Sequence, residues 1–211
     1  MTIEIGEKTA ILRRSILDNG TPNGARLREV ADLIAQYYQL VLKWNDRLHL
    51  TTITDPDQFL ERHVVEVLAA LPLIDPSVTV LWDLGSGLGV PGIPFRLFRP
   101  DLEVVLVESN RRKVLFLETV ISELSIDRMS VLHRRIEDLS PLGRGVLLTG
   151  RAIERMETLF PTILRLGAEV SQILLFTTTR PAHALPGAVI HPLPGTLNCC
   201  VAELKCSTWN T

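Results

Sequence analysis

Val78-Thr79-Val80-Leu81-Trp82-Asp83-Leu84-Gly85-Ser86-Gly87-Leu88-Gly89-Val90-Pro91-Gly92-Ile93-Pro94 is the stretch on which the fold turns. Val78 to Leu84 is short and mostly apolar and runs into glycines, the pattern of a buried parallel strand. Glycines after such a strand permit a tight turn and let backbone approach a ligand without Cβ collisions. The pattern recurs downstream. Glu103 to Glu108 reads as a second strand, followed by a helix from about Arg111 to Leu124 with Val114, Leu117, Ile121 and Leu124 facing the sheet. Further apolar runs end near His133, Thr149 and Phe176, with a helical stretch from Ala152 to Leu166 between the last two. Strand and helix alternate, so the predicted class is α/β with a doubly wound, mostly parallel sheet. Ala188-Val189-Ile190, a Pro-Leu-Pro-Gly turn and Cys200 to Lys205 predict a hairpin added at one sheet edge.

Upstream of Val78 the periodicity is helical. Leu27, Val30, Ile34, Tyr37, Val41 and Trp44 recur at steps of three and four, one face of a long helix. Asp55-Pro56 starts another, with Asp as cap, Pro at the first helical position and Gln58 placed to close a capping box. Its stripe is Phe59, Leu60, His63, Val64, Val67, Leu68 and Leu71, and Pro72 stops it. An earlier helix is expected over Glu7 to Leu17, ending at Asn19-Gly20. The expected organisation is a helical extension over residues 1–75 packed on a ligand-binding domain over residues 76–211.

Composition bounds the function. Hydrophobic residues make up 46% and charged residues 22% of the 211, as in a globular protein with a real core. No run approaches the ~18 apolar residues that a membrane crossing needs, and the N-terminus lacks a basic-then-apolar signal. The expectation is a cytoplasmic protein without a membrane partner. Cys199, Cys200 and Cys206 suit neither a disulfide framework nor a zinc site, so they read as reduced thiols on a late strand, and no metal is expected. The net charge of −2 does not advertise nucleic acid, so any RNA contact must come from a local basic patch.

The chemistry lies in the glycine bend and one acid. Glu108 closes the second strand 19 residues after Gly89, near the ~20 expected of a carboxylate that accepts bonds from ribose hydroxyls. Gly87-Leu88-Gly89-Val90-Pro91-Gly92 also matches the dinucleotide fingerprint G-x-G-x-x-G. Two features disfavour NAD. The match begins four residues beyond Asp83, and Pro91 removes an amide that a pyrophosphate would want at a helix N-terminus. S-adenosylmethionine (SAM) has no phosphate and makes no such demand, so it is the favoured ligand, with NAD as the competing one.

Lys43-Trp44-Asn45, Leu48-His49-Leu50-Thr51, Glu61-Arg62-His63, the glycine-proline bend, and Arg111-Arg112-Lys113 with Phe116-Leu117 resemble a known family. It is the bacterial small-subunit ribosomal RNA methyltransferase G family, formerly called glucose-inhibited division protein B. The similarity runs from about Trp44 to Ala152. It implies a class I, Rossmann-like methyltransferase fold with a seven-stranded sheet, and methyl transfer from SAM to N7 of a guanine in 16S rRNA. The implied partner is 16S rRNA or the 30S subunit, met by a monomer. Carried over by position, Gly85, Gly87 and Gly89 pass beneath the methionine part of SAM, Asp83 orients its amino group, and Glu108 holds the ribose. Arg135-Ile136-Glu137 flanks the adenine, with Ile136 and Glu137 as cofactor contacts. Arg151-Ala152 faces the target base. His63 and Glu66 lie on the helix that closes over the cofactor.

The chain departs from the family pattern twice. The usual fourth-strand aspartate is missing from Gly145-Val146-Leu147-Leu148-Thr149, and Phe176-Thr177-Thr178 stands where Lys-Gly is usual, with Arg180 as a candidate replacement cation. Guanine N7 has a free lone pair and loses no proton, so in-line positioning suffices without a general base. Arg151 is the candidate for holding guanine O6 or a neighbouring phosphate. His63 can equally be a satisfied structural histidine, Arg111, Arg112 and Lys113 a solvated helix start, and Trp44 reads as core. The competing functions are a methyltransferase of another acceptor and a catalytically idle SAM-binding, ribosome-associated protein.

Overall fold

A computed structural model of the chain describes residues 24–151, 156–167, 169–178, 182, 185–193 and 199–205. Its first element, α1, spans Gly24–Leu48. Helix α2 is built in three pieces: an α-helical turn at Pro56–Leu60, a π-helical stretch at Glu61–Val65 and a last α-helical turn at Glu66–Leu68. Asp55 caps it as its sequence position predicts, its carboxylate accepting from the amides of Asp57 (3.0 Å) and Gln58 (2.9 Å). The order then runs β1 Val80–Leu84, α3 Gly92–Phe98, β2 Glu103–Glu108, α4 Arg111–Glu123, β3 Met129–His133, β4 Val146–Arg151, α5 Met156–Leu166, β5 Gln172–Thr178, β6 Val189–Pro192 and β7 Cys199–Lys205. The helix expected over Glu7 to Leu17, together with Ala152, Arg180 and Cys206, lies outside the described residues.

All seven strands form one sheet in the order β3-β2-β1-β4-β5-β7-β6. β1 to β5 are parallel, while β7 pairs antiparallel with both β5 and β6. The expected hairpin is present, and its second strand, β7, is the one that docks on β5. Both faces of the sheet are covered, because side chains alternate along each strand. Leu81, Val104, Leu106, Leu147 and Leu174 join the cluster built with α1, α2, α3 and α4. Leu84, Val107, Leu148, Ile173 and Leu175 join the cluster built with α5. That is why the strands read as near-continuous apolar runs rather than alternating ones.

The helices before β1 share the first of these clusters with the sheet. Val30, Ile34, Tyr37 and Val41 of α1, and Phe59, Val64 and Val67 of α2, are all buried in it. Trp44 packs edge-on against Phe116 of α4, ring centroids 6.0 Å apart, and is core as expected. One polar bond ties α1 to the glycine bend: the fully buried Tyr37 donates its hydroxyl proton to the carbonyl of Leu88 at 2.7 Å. Burial pushes the Tyr37 phenol well above its ordinary value, so it remains a donor.

Tyr37→Phe deletes that donor and leaves the Leu88 carbonyl short of a partner, a loss of about 1–3 kcal/mol. The expected result is a Tm lower by roughly 2–4 °C for each kcal/mol. It should come with weaker binding at the glycine bend, measured by thermal unfolding and calorimetry on the same samples.

Candidate active site

The carboxyl end of β1 carries the bend. Gly85, Gly87 and Gly89 have φ of +68°, +59° and +100°, the left-handed region that only glycine enters freely. Nothing lies within 4 Å of where a Cβ on Gly85 would stand, so this backbone is open to a ligand. Gly92 serves packing instead. A Cβ there would sit 2.4 Å from Leu106 Cδ2 and 3.0 Å from Asp83 Oδ2, so the start of α3 is pressed against β1 and β2. The sequence placed Gly92 in the motif but did not single it out.

Asp83 is fully buried beneath the bend. Its Oδ2 accepts the Gly92 amide at 3.1 Å, while Oδ1 is buried without a hydrogen-bond partner. Burial pushes this carboxyl from 3.8 up to about 7, and the Gly92 amide only partly opposes the shift. An orphaned carboxylate oxygen at such a place is a receptor for a cation.

Glu108 ends β2 beside the bend and is only 7% exposed. Its Oε2 accepts the Gly87 amide at 2.9 Å and its Oε1 the Asn110 amide at 2.8 Å. Each oxygen keeps a further lone pair, so the carboxylate both shapes the bend and can accept from vicinal hydroxyls. Asn110 in turn caps α4, accepting from the Arg112 amide at 2.9 Å. An asparagine directly before a helical stripe is a legible cap signal that the sequence reading passed over.

Next to Glu108 lies a cavity of about 280 Å³ lined by Gly85, Val107, Ser109, Arg135, Ile136 and Glu137, among others. Ile136 and Glu137 open a short 3-10 turn just beyond β3, with Ile136 buried. The segment expected to flank the adenine therefore shares one cavity with the first glycine of the bend.

The residues expected on the acceptor side meet elsewhere on the same edge. Arg151, at the end of β4, reaches across to the π-helical turn of α2. One guanidinium nitrogen donates to the Arg62 carbonyl, and the other to Glu66 Oε2 at 2.9 Å. Glu66 is 1% exposed, and its Oε1 accepts from Arg62. Burial raises the Glu66 carboxyl above its ordinary value, and the two guanidiniums beside it oppose that shift. His63 is buried between these arginines and Thr51, its Nε2 lying 3.1 Å from Thr51 Oγ1. Burial, then Arg151 and Arg62, push its pKa down to about 3, so the imidazole is neutral. On β4, the buried Thr149 donates its hydroxyl to the Leu174 carbonyl of β5 at 2.9 Å. Arg62 and the π turn were not legible from the helical stripe.

Comparison with known proteins decides the family. A family model described as rRNA small subunit methyltransferase G matches residues 31–186. The chain belongs to the rRNA small subunit methyltransferase G family. A relative of that name from Pseudomonas entomophila is 34% identical over 154 residues, covering 73% of this chain and 71% of the relative. One from Desulfitobacterium hafniense is 38% identical over 127 residues, covering 58% of this chain and 52% of the relative. The fold is that of M. jannaschii TYW2 in its AdoMet complex, with a TM-score of 0.52 at 13% identity, covering 73% of this chain and 78% of that one. Membership of the family makes the chain a SAM-dependent methyltransferase. The residues at the carboxyl edge fit that cofactor: a buried carboxylate with one unpartnered oxygen, a glycine bend open to a ligand, and a glutamate with spare acceptor capacity.

The raised pKa of Asp83 carries a sign that can be tested. Its folded value lies above its unfolded one, so ionising Asp83 costs the ligand-free protein stability as pH rises from about 4 to about 7. An ammonium bound there needs the ionised form. SAM affinity should therefore weaken roughly tenfold for each pH unit below 7. Asp83→Asn should remove that dependence, lower affinity by about 10–100-fold and leave the ligand-free fold as stable or more so at pH 8. Calorimetric titration across pH, with thermal unfolding of both proteins, measures all three.

Proposed function

We propose that this protein transfers the methyl group of SAM to N7 of a guanine in 16S rRNA, acting as a monomer in the cytoplasm. The observation that carries the reading is the buried, unpartnered Oδ1 of Asp83 at the glycine bend, in a chain of this family. In this assignment Asp83 would take the amino group of SAM, and Gly85, Gly87 and Gly89 would pass beneath its methionine part. Glu108 would hold the ribose hydroxyls, and Ile136 and Glu137 would border the adenine. His63, neutral and buried, backs the π-helical turn on the acceptor side and does not line the cavity beside the bend. The helices before about residue 75 act as an extension that steadies the bend through Tyr37.

Bound SAM supplies an electrophilic methyl group, and guanine N7 brings its own lone pair with no proton to lose. The protein therefore needs no general base, and its work is to align donor and acceptor. Arg151 stands on the acceptor side, where it holds the turn that borders the target base. A guanidinium against N7 itself would oppose the reaction, since the product base is cationic.

The test uses 16S rRNA and 30S particles from a strain lacking the enzyme, with radiolabelled SAM, and maps the labelled base by reduction and aniline cleavage at 7-methylguanine. One labelled guanine is expected. Label at another acceptor, or SAM binding without transfer, would refute the assignment. Glu108→Ala, which strips one hydrogen bond from the bend at Gly87 and one from the Asn110 amide, should weaken SAM binding at least tenfold in calorimetry.

A further inference from the structure

A second cavity, of about 240 Å³, opens between the π-helical turn and the ends of β5 and β7. Arg62, Glu66, Arg151, Thr177, Thr178 and Cys199 are among its lining residues. Its charges do not balance. Two guanidiniums share the single carboxylate of Glu66, and no other acidic residue lines the cavity among the described residues, so one positive charge is left over.

The leftover charge can be located. Arg151 is turned inward, with 18% of its side chain exposed and both terminal nitrogens donating to protein acceptors. Arg62 is 38% exposed. Its contacts are to Glu66 and, at 3.4 Å, to Cys199 Sγ, a weak acceptor, which leaves guanidinium protons for a ligand. The π turn sets this up. The Glu66 amide reaches back to the Glu61 carbonyl, and Arg151 bonds the Arg62 carbonyl, so the turn that presents Arg62 is held from the sheet. Thr177 and Thr178, at the end of β5, line the same cavity.

We propose that this cavity takes a phosphodiester group of the acceptor RNA, and that Arg62 is the cation that holds it. The inference rests on the reading of the protein as an RNA methyltransferase and adds the residue that carries acceptor affinity. Whichever of Thr177 and Thr178 faces the cavity supplies a neutral donor to the same anion, and Glu66 with Arg151 fixes the guanidinium that the phosphate meets. A phosphate rather than the base suits the position, because it keeps the cation off the nitrogen that becomes charged.

Steady-state kinetics on 30S particles or 16S rRNA test this, with SAM binding followed by calorimetry and RNA binding measured at several salt concentrations. Arg62→Gln should raise KM for RNA about tenfold and leave SAM affinity unchanged. It should also lower the slope of log affinity against log salt by about one. Arg62→Lys, which keeps the charge, should restore the slope and part of the KM. An unchanged KM and salt slope in Arg62→Gln, beside normal transfer by the wild type, would overturn the assignment while leaving the function standing. A fall in SAM affinity or Tm equal to the loss in RNA affinity would overturn it in favour of a structural arginine. If the wild type transferred no methyl to RNA, the function itself would fall and this inference with it.

Discussion

A carboxylate buried at the end of the central strand governs the rest of the molecule. Placing Asp83 there makes its ionised form roughly 4 kcal/mol less favourable than in water, a sum comparable to the net stability of many domains. Fully burying a leucine or phenylalanine returns about 1.5–3 kcal/mol, so core residues on either side can carry the burden only together. Leu81 and Leu84 on β1, Leu106 on β2 and Ile93 on α3 are fully buried around it. The Gly92 amide donates to its side chain at 3.1 Å, and that bond requires the start of α3 to lie against β1. Glycine at position 92 follows directly, since a Cβ would strike Leu106 and the carboxylate itself. The bend between β1 and α3 is thus a consequence of where the acid must sit.

The bend is held from three directions. Its first turn closes on the neighbouring strand, with the Ser86 amide donating to the Val107 carbonyl at 3.0 Å. Glu108 takes the Gly87 amide, and Tyr37 reaches in from the first helix to the Leu88 carbonyl. A backbone with three left-handed glycines has more freedom to lose than any other, and these bonds remove it before a ligand arrives. Preorganisation therefore comes partly from helix α1, which contributes no residue to the cofactor cavity.

Most of the fold was legible because its signals are periodic. The strand at Glu103–Glu108, the cap at Asp55 and the stripe of α1 follow from spacing alone. The meeting of the glycine bend with Glu108 was legible too, since glycines after a strand and an acid about 20 residues on are local features. The acceptor side was not. A helical stripe through Phe59, His63 and Val67 assumes 3.6 residues per turn, whereas Glu61–Val65 is π-helical and turns Arg62 toward β5 and β7. Arg62 and Cys199 are 137 residues apart, and Arg62 and Arg151 are 89 apart. No local pattern brings such residues together. The stretch Gly145 to Thr149 likewise reads in sequence as lacking an expected aspartate, while in the fold its Thr149 makes a cross-strand bond to the Leu174 carbonyl.

The carboxyl edge of the sheet is polarised. Asp83, Glu108 and Glu137 outnumber Arg134 and Arg135 at the glycine bend and its cavity, whereas Arg62 and Arg151 outnumber Glu66 at the other cavity. SAM carries a sulfonium and an ammonium, and RNA is a polyanion, so the polarity sorts two ligands of opposite charge to their own ends. On the proposed reading it also acts after transfer. The positive charge leaves sulfur, which had lain on the side of the carboxylates, and settles on the base, on the side of the arginines. Both spent ligands are then worse matched to their surroundings than the ligands that entered, and the field that gathers the substrates favours the departure of the products.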